Sequence, residues 1–162
     1  MKKRYRKVHC TIWNEEQFAS LSNNAKLAYF YILTHPNMTA LGAMRGTPNG
    51  IAAELGMPAS AANELVSSFI VQYDPSTSCL YIPGFIEWQT PESTNVVKAW
   101  AKSFDLIPDG IFKRQVVLEA HAFIKTLSLP FQVAFEKAMN EAFPKGLDVG
   151  MTEGKPLVFR VA

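Results

Sequence analysis

The chemically most telling residues of this 162-residue chain are its basic side chains. Lys2, Lys3, Arg4, Arg6 and Lys7 fill five of the first seven positions. Clustered Lys and Arg gain affinity for a polyanion by releasing its condensed counterions. The net charge is nevertheless only +2, because the other 11 basic residues face 14 acidic ones and leave the body at about −3. A cationic arm on an acidic body points to a phosphate-bearing partner; a solvated, frayed terminus is the competing reading.

Other chemistries find less support. His9, His35 and His121 lack the short spacing that puts two imidazoles on one metal, so no metal and no cofactor is expected. Cys10 and Cys79 are too few for a zinc ribbon or a disulfide scaffold and are expected to be reduced thiols. The stretch Val8–Glu16 is too short and polar to be the apolar core of an export signal, so a cytoplasmic location is expected. No uncharged apolar run reaches the roughly 18 residues needed to span a bilayer. Phosphate-loop, nucleophile-elbow and dinucleotide-binding patterns are missing, and Asp105 and Glu119 have ordinary helix-end or surface explanations, so the chain does not read as an enzyme.

The elements that would position the basic residues are mostly helical. Ser22 is a capping hydroxyl for a helix over Asn23–Thr34 that is apolar on most sides and stopped by His35-Pro36. Leu41–Arg45 reads as a short strand. Thr47-Pro48 opens a two-turn helix closed by Gly56. A second helix carries Ala62, Leu65, Val66, Phe69 and Ile70 at core spacing. Val71-Gln72-Tyr73 and Leu80-Tyr81-Ile82 bracket a loop of turn formers and read as a hairpin. Helix, strand, helix, helix and hairpin is the order of a winged helix-turn-helix, expected over 13–91 after a basic arm over 1–12.

The segment Trp13, Leu21-Ser22-Asn23-Asn24-Ala25-Lys26-Leu27 through Leu33-Thr34-His35-Pro36, and then Leu41-Gly42-Ala43, resembles the start of phage replisome-organiser and DNA replication-initiation proteins. Tyr73-Asp74 and Tyr81-Ile82-Pro83-Gly84-Phe85 are similar to the wing of those domains and the strand after it. The resemblance covers residues 10–105 and implies a DNA-binding module that marks an origin or recruits a helicase loader.

In the usual docking mode the second helix of such a motif enters the major groove. Its outward positions here are Ser60, Ala61, Asn63, Glu64, Ser67 and Ser68, with no cation among them. Asn63 suits adenine, and Ser60 and Ser67 suit a phosphate or base edge, whereas Glu64 would repel phosphates. A solvated helix face is the competing reading. The missing charge is expected from the arm, Lys26 and Arg45.

Residues 92–162 read as a helical extension. A helix over 95–104 places Val96, Val97, Trp100 and Phe104 on one face. Lys98 and Lys102 lie on another, as a phosphate grip or a solubilising pair. Stripes over Ile111–Leu127 and Phe131–Phe143 form a helical hairpin whose apolar faces need each other, the winged unit or a second copy of the chain. The tail from Lys155 to Ala162 reads as a strand added to the wing sheet or to a neighbour's edge, with a core-packing extension as the competing reading. The fold class expected is mostly α (α+β). The partners expected are DNA, duplex or single-stranded, a helicase loader, or a second copy as a homodimer. A winged-helix transcription regulator and a winged-helix protein-docking module stand as alternatives.

Overall fold

A computed structural model describes residues 4–146; Lys2, Lys3 and the strand expected at the C-terminus lie outside the described residues. The protein is mostly helical with one small antiparallel sheet. After a 3-10 turn (Cys10–Asn14) come helices α1 (Glu16–Ala19) and α2 (Asn23–Thr34), strand β1 (Ala43–Arg45), and helices α3 (Pro48–Leu55) and α4 (Ala59–Ser67). Strands β2 (Gln72–Asp74) and β3 (Cys79–Tyr81) follow, then α5 (Phe85–Trp88), α6 (Thr94–Lys98), α7 (Trp100–Leu106), α8 (Ile111–Ile124) and α9 (Leu129–Ala142). Among the described residues no helix is long and apolar enough to cross a membrane.

Local chemistry sets the ends of the first helices. The Ser22 hydroxyl accepts the Ala25 N–H at 3.1 Å. The Thr47 hydroxyl accepts the Gly50 N–H at 3.0 Å with Pro48 in the first turn, and α3 ends at Gly56 in the left-handed conformation.

The sheet has the order β1-β3-β2, with Met44 opposite Leu80 and Tyr73 opposite Leu80. Side chains alternate across a strand, so its faces bury different sets. Met44 and Leu80 join Ala25, Ala28, Ile32, Ile51 and Leu65 from α2–α4. Ala43, Cys79 and Tyr81 join Trp100, Phe104, Phe112, Val116 and Phe135 from α7–α9. The central strand β3 is therefore buried on both sides.

Several sequence expectations shift. Phe69 was expected in the core stripe of α4, but the helix ends at Ser67 and Phe69 takes a φ of 61°, leaving it 72% exposed while Val71 returns to the core. Ala61 was expected outward and is buried, because α4 packs against both α2 and α3. Leu27, on a helix expected to be covered nearly all round, is exposed. The helix expected over 95–104 divides at Ala99, and Val96 faces solvent while Val97 and Trp100 turn inward. Helix α9 packs chiefly on α6 and α7 and less on α8, with the Trp100 and Phe135 rings edge-to-face at 6.1 Å. Strand β2 lies one residue later and β3 one residue earlier than its expected span, and α5 occupies the place of the strand expected after the wing.

Gly42 links this sheet to α5. Its φ is +83°, and a Cβ there would sit 2.3 Å from the Cβ of Phe85. Replacing Gly42 by Ala is expected to destabilise the protein by about 2–4 kcal/mol, since strain and steric overlap add at one buried position. Chemical denaturation followed by circular dichroism measures this, and an unchanged midpoint would refute the assigned packing.

Candidate nucleic-acid interface

The described part of the basic arm is laid down as a strap. Arg4 Nη2 donates to the Pro36 carbonyl at 3.0 Å, and Arg6 Nη2 donates to the carbonyls of Met38 at 2.7 Å and Thr39 at 3.2 Å. The Arg6 guanidinium also stands over the Phe85 ring, 5.5 Å from its centroid. The Lys7 main chain exchanges two hydrogen bonds with the Gln89 side chain, at 3.0 and 2.7 Å. The Lys7 ammonium donates to the Thr90 carbonyl at 3.1 Å and pairs with Glu92 at 3.2 Å. The Tyr5 hydroxyl reaches the same carboxylate at 3.3 Å. The arm therefore joins the turn after α2 to the segment after α5. Burial, and then the neighbouring Arg4 charge, lower the Arg6 pKa from its ordinary value.

The other nominated cations are dispersed. Lys26 donates to the Ala19 carbonyl at 2.9 Å, closing the end of α1. Arg45 is exposed at the end of β1, and neither it nor Lys98 nor Lys102 has a hydrogen-bond or ion-pair partner among the described residues. Lys98 and Lys102 lie in separate helices, α6 and α7.

On α4, Ser60, Asn63 and Ser67 are exposed, and the Ser67 hydroxyl donates to the Glu64 carbonyl at 3.0 Å. Glu64 turns toward α2. Its carboxylate accepts the Ser22 N–H at 2.7 Å and the Ser22 hydroxyl at 2.6 Å. These bonds, the hydroxyl first, hold its pKa below the ordinary 4.5. The acidic residue expected to oppose phosphate thus serves as a second cap on α2 and leaves a neutral polar face of Ser60, Asn63 and Ser67.

No family model, curated protein or solved structure matches this chain.

The hairpin between β2 and β3 is short and supported from behind. Asp74 accepts hydrogen bonds from the Ser76 N–H and from the Ser76 and Thr77 hydroxyls, at 2.7 to 2.9 Å. Gly110, in the turn before α8, abuts it closely: a Cβ there would lie 2.8 Å from Thr77 Cγ2. Three of the nominated residues do converge. Arg4, Arg6 and Arg45 line one cleft of about 460 Å³ together with the 36–40 turn and Ser103, Asp105 and Leu106 of α7. Ser103 had no signal in the sequence, because nothing in its periodicity places α7 beside a turn more than sixty residues earlier.

His9, His35 and Cys79 are engaged within the fold, whereas Cys10 is exposed. His9 meets Trp88 edge-on at 5.2 Å, and His35 approaches Glu54 at 3.2 Å. Cys79 is buried, which pushes its thiol up to about 11. Among the described residues no group of three or more His, Cys, Asp or Glu side chains is placed to hold a metal.

The Glu64 contact has a pH signature. A carboxylate whose folded pKa is depressed stabilises the fold fully above its unfolded value, and that stabilisation disappears as pH falls through the folded pKa. Glu64→Gln is expected to cost about 1 kcal/mol near neutral pH, after allowing for solvent exposure. The gap between the two proteins should narrow as pH falls below 4.5. Thermal melts of both proteins from pH 7 to pH 3 measure it; a gap independent of pH would remove the carboxylate from the cap.

Proposed function

We propose that residues 13–91 form a winged helix-turn-helix that binds DNA, in a protein of phage-type replication initiation acting at an origin or in helicase-loader recruitment. The observation that carries this reading is the order α2-β1-α3-α4-β2-β3 with the strands arranged β1-β3-β2. Helices α3 and α4 pack on each other across the turn at Gly56, as two helices of such a motif must. The exposed Ser60, Asn63 and Ser67 give α4 donors and acceptors for base edges, and the engagement of Glu64 by Ser22 takes its carboxylate out of that face. The resemblance to replisome-organiser proteins adds the replication context.

A protein-docking role is favoured by a different observation. Trp13 is 57% exposed, Leu27 54% and Phe69 72%, and Phe69 holds its ring outward from a left-handed backbone that a bulky residue adopts only at a cost.

Fluorescence anisotropy with duplex and single-stranded DNA at two salt concentrations separates the readings. Under the leading one, Asn63→Ala lowers affinity for the preferred sequence by about 1–3 kcal/mol and leaves non-specific binding unchanged. Absence of binding to either form at low salt would overturn it. In that case, loss of helicase-loader binding on Phe69→Ser would support docking.

A further inference from the structure

We propose that the cleft between the N-terminal strap, the 36–40 turn, Arg45 and α7 is a binding site for a single phosphate group. This inference does not depend on α4 reading DNA. The cleft begins beyond the C-terminus of α2, while the Glu64–Ser22 contact marks the N-terminus of that 12-residue helix. At 1.5 Å per residue the two places are about 18 Å apart.

Three guanidinium groups line the cleft, and none is in an ion pair among the described residues; the pairs there join Lys7 to Glu92, His35 to Glu54 and Lys113 to Asp109. Arg4 and Arg6 stand close enough for the charge of one to act on the other. Such a cluster carries mutual repulsion that an anion relieves.

The donors are also held ready. Arg4 and Arg6 are each anchored through Nη2 to backbone carbonyls. A guanidinium has five N–H donors in a rigid fork, so the Nη1 and Nε groups of both remain for an acceptor, and an anchored fork loses little freedom on binding. Ser103 supplies an independent sign. It is only 8% exposed and lines the cleft, yet its hydroxyl has no hydrogen-bond partner among the described residues. No buried polar atom of the described side chains is unsatisfied, so this oxygen is open to the cleft.

Asp105 lies on the same wall and limits the formal charge of the lining to +2. That suits one phosphate dianion or an ester of it more than a polyphosphate. Asp109, which feels the Arg45 charge, is already engaged by Lys113 at 2.8 Å. The volume leaves room for a phosphate and part of the group it is joined to. That group is either the sugar of a nucleic-acid backbone or a free phosphate monoester; both present the same tetrahedral acceptor to the cleft.

The test uses the full chain, with inorganic phosphate as the first probe and a duplex oligonucleotide as the second. Phosphate titrations are followed by the Nε–H resonances of the arginines, with sodium chloride at matched ionic strength as the control. Arg45→Gln and Ser103→Ala spare the anchors of the strap, and Lys98→Gln reports general charge loss. Phosphate, but not chloride, is expected to shift the signals of Arg4, Arg6 and Arg45, with binding weakened about tenfold by Arg45→Gln, in line with loss of a charge-assisted pair. Ser103→Ala should also weaken it, and Lys98→Gln should leave it unchanged. If duplex affinity falls in parallel, the phosphate belongs to a nucleic-acid backbone; if only inorganic phosphate is affected, it belongs to a free ligand. A protein that binds no duplex yet takes phosphate in the cleft keeps this site and loses the proposed function. Equal responses to phosphate and chloride, or variants that titrate like the parent, would overturn the proposal.

Discussion

Burial of the central strand on both faces is the constraint on which the rest of the molecule depends. Cys79, Leu80 and Tyr81 are each at most 1% exposed, and the alternation of a strand sends Leu80 to one core and its two neighbours to the other. A three-stranded sheet with one face in water would leave Ala43, Tyr81 and the rings of Phe112 and Trp100 without cover. Burying a large apolar side chain contributes about 1.5–3 kcal/mol, so helices α7 to α9 are part of what keeps the sheet folded. Tyr81 makes the same point in polar terms. Its hydroxyl donates to Glu119 of α8, and burial with that bond raises its pKa far above the ordinary value. The bond crosses from the strand to a helix thirty-eight positions away.

A second constraint falls on the basic arm. The arm runs between the turn after α2 and the segment after α5, and donates to carbonyls of both. Arg6 satisfies Met38 and Thr39, Lys7 satisfies Thr90, and Gln89 pairs with the Lys7 main chain. Cations that composition assigns to a polyanion are thus partly engaged by the protein's own backbone. What remains for a ligand is the unused edge of each guanidinium, which is a more directional resource than a frayed tail, because each fork is held at a stated carbonyl.

Local signals were the legible ones. Ser22, Thr47-Pro48 and Gly56 act within one helical turn, and their roles follow from residue type and position. The order of helices and strands from α2 to β3 was legible for the same reason, since turn formers separate the pairs other than α4 and β2. What escaped was tertiary. Ala61 is small and apolar at a position counted as outward, and only the joint packing of α4 on α2 and α3 puts it inside. Phe69 fits the helical stripe, yet α4 ends two residues earlier, at Ser67. Cys79-Leu80-Tyr81 shows no polar alternation, because both faces are covered, and so gives no hint of which residue faces which core. The contacts of Arg6 and Lys7 span about thirty and eighty positions, beyond any periodicity. Glu64 reads as a liability on a recognition face until Ser22, forty-two positions away, is seen beneath it.

The separation of α4 from the arginine cleft bears on how such a protein would hold a nucleic acid. The α4 face is neutral and polar, so under the proposed function it would contribute selectivity through hydrogen bonds and little through counterion release. The cleft is cationic and holds the donors of Arg4 and Arg6 at backbone carbonyls, so under the proposal it would contribute attraction and no sequence information. Two surfaces about 18 Å apart along α2 can meet one duplex, whose backbone offers phosphates at much finer intervals, only if that duplex runs along α2 and not simply across α4. On α2 itself Leu27 is exposed, and Lys26, the one cation of that helix, is already bonded to Ala19. On the proposed readings the two surfaces would therefore act as separate binding elements and not as one continuous groove: one would select, the other would anchor a phosphate, and loss of either would leave the other intact.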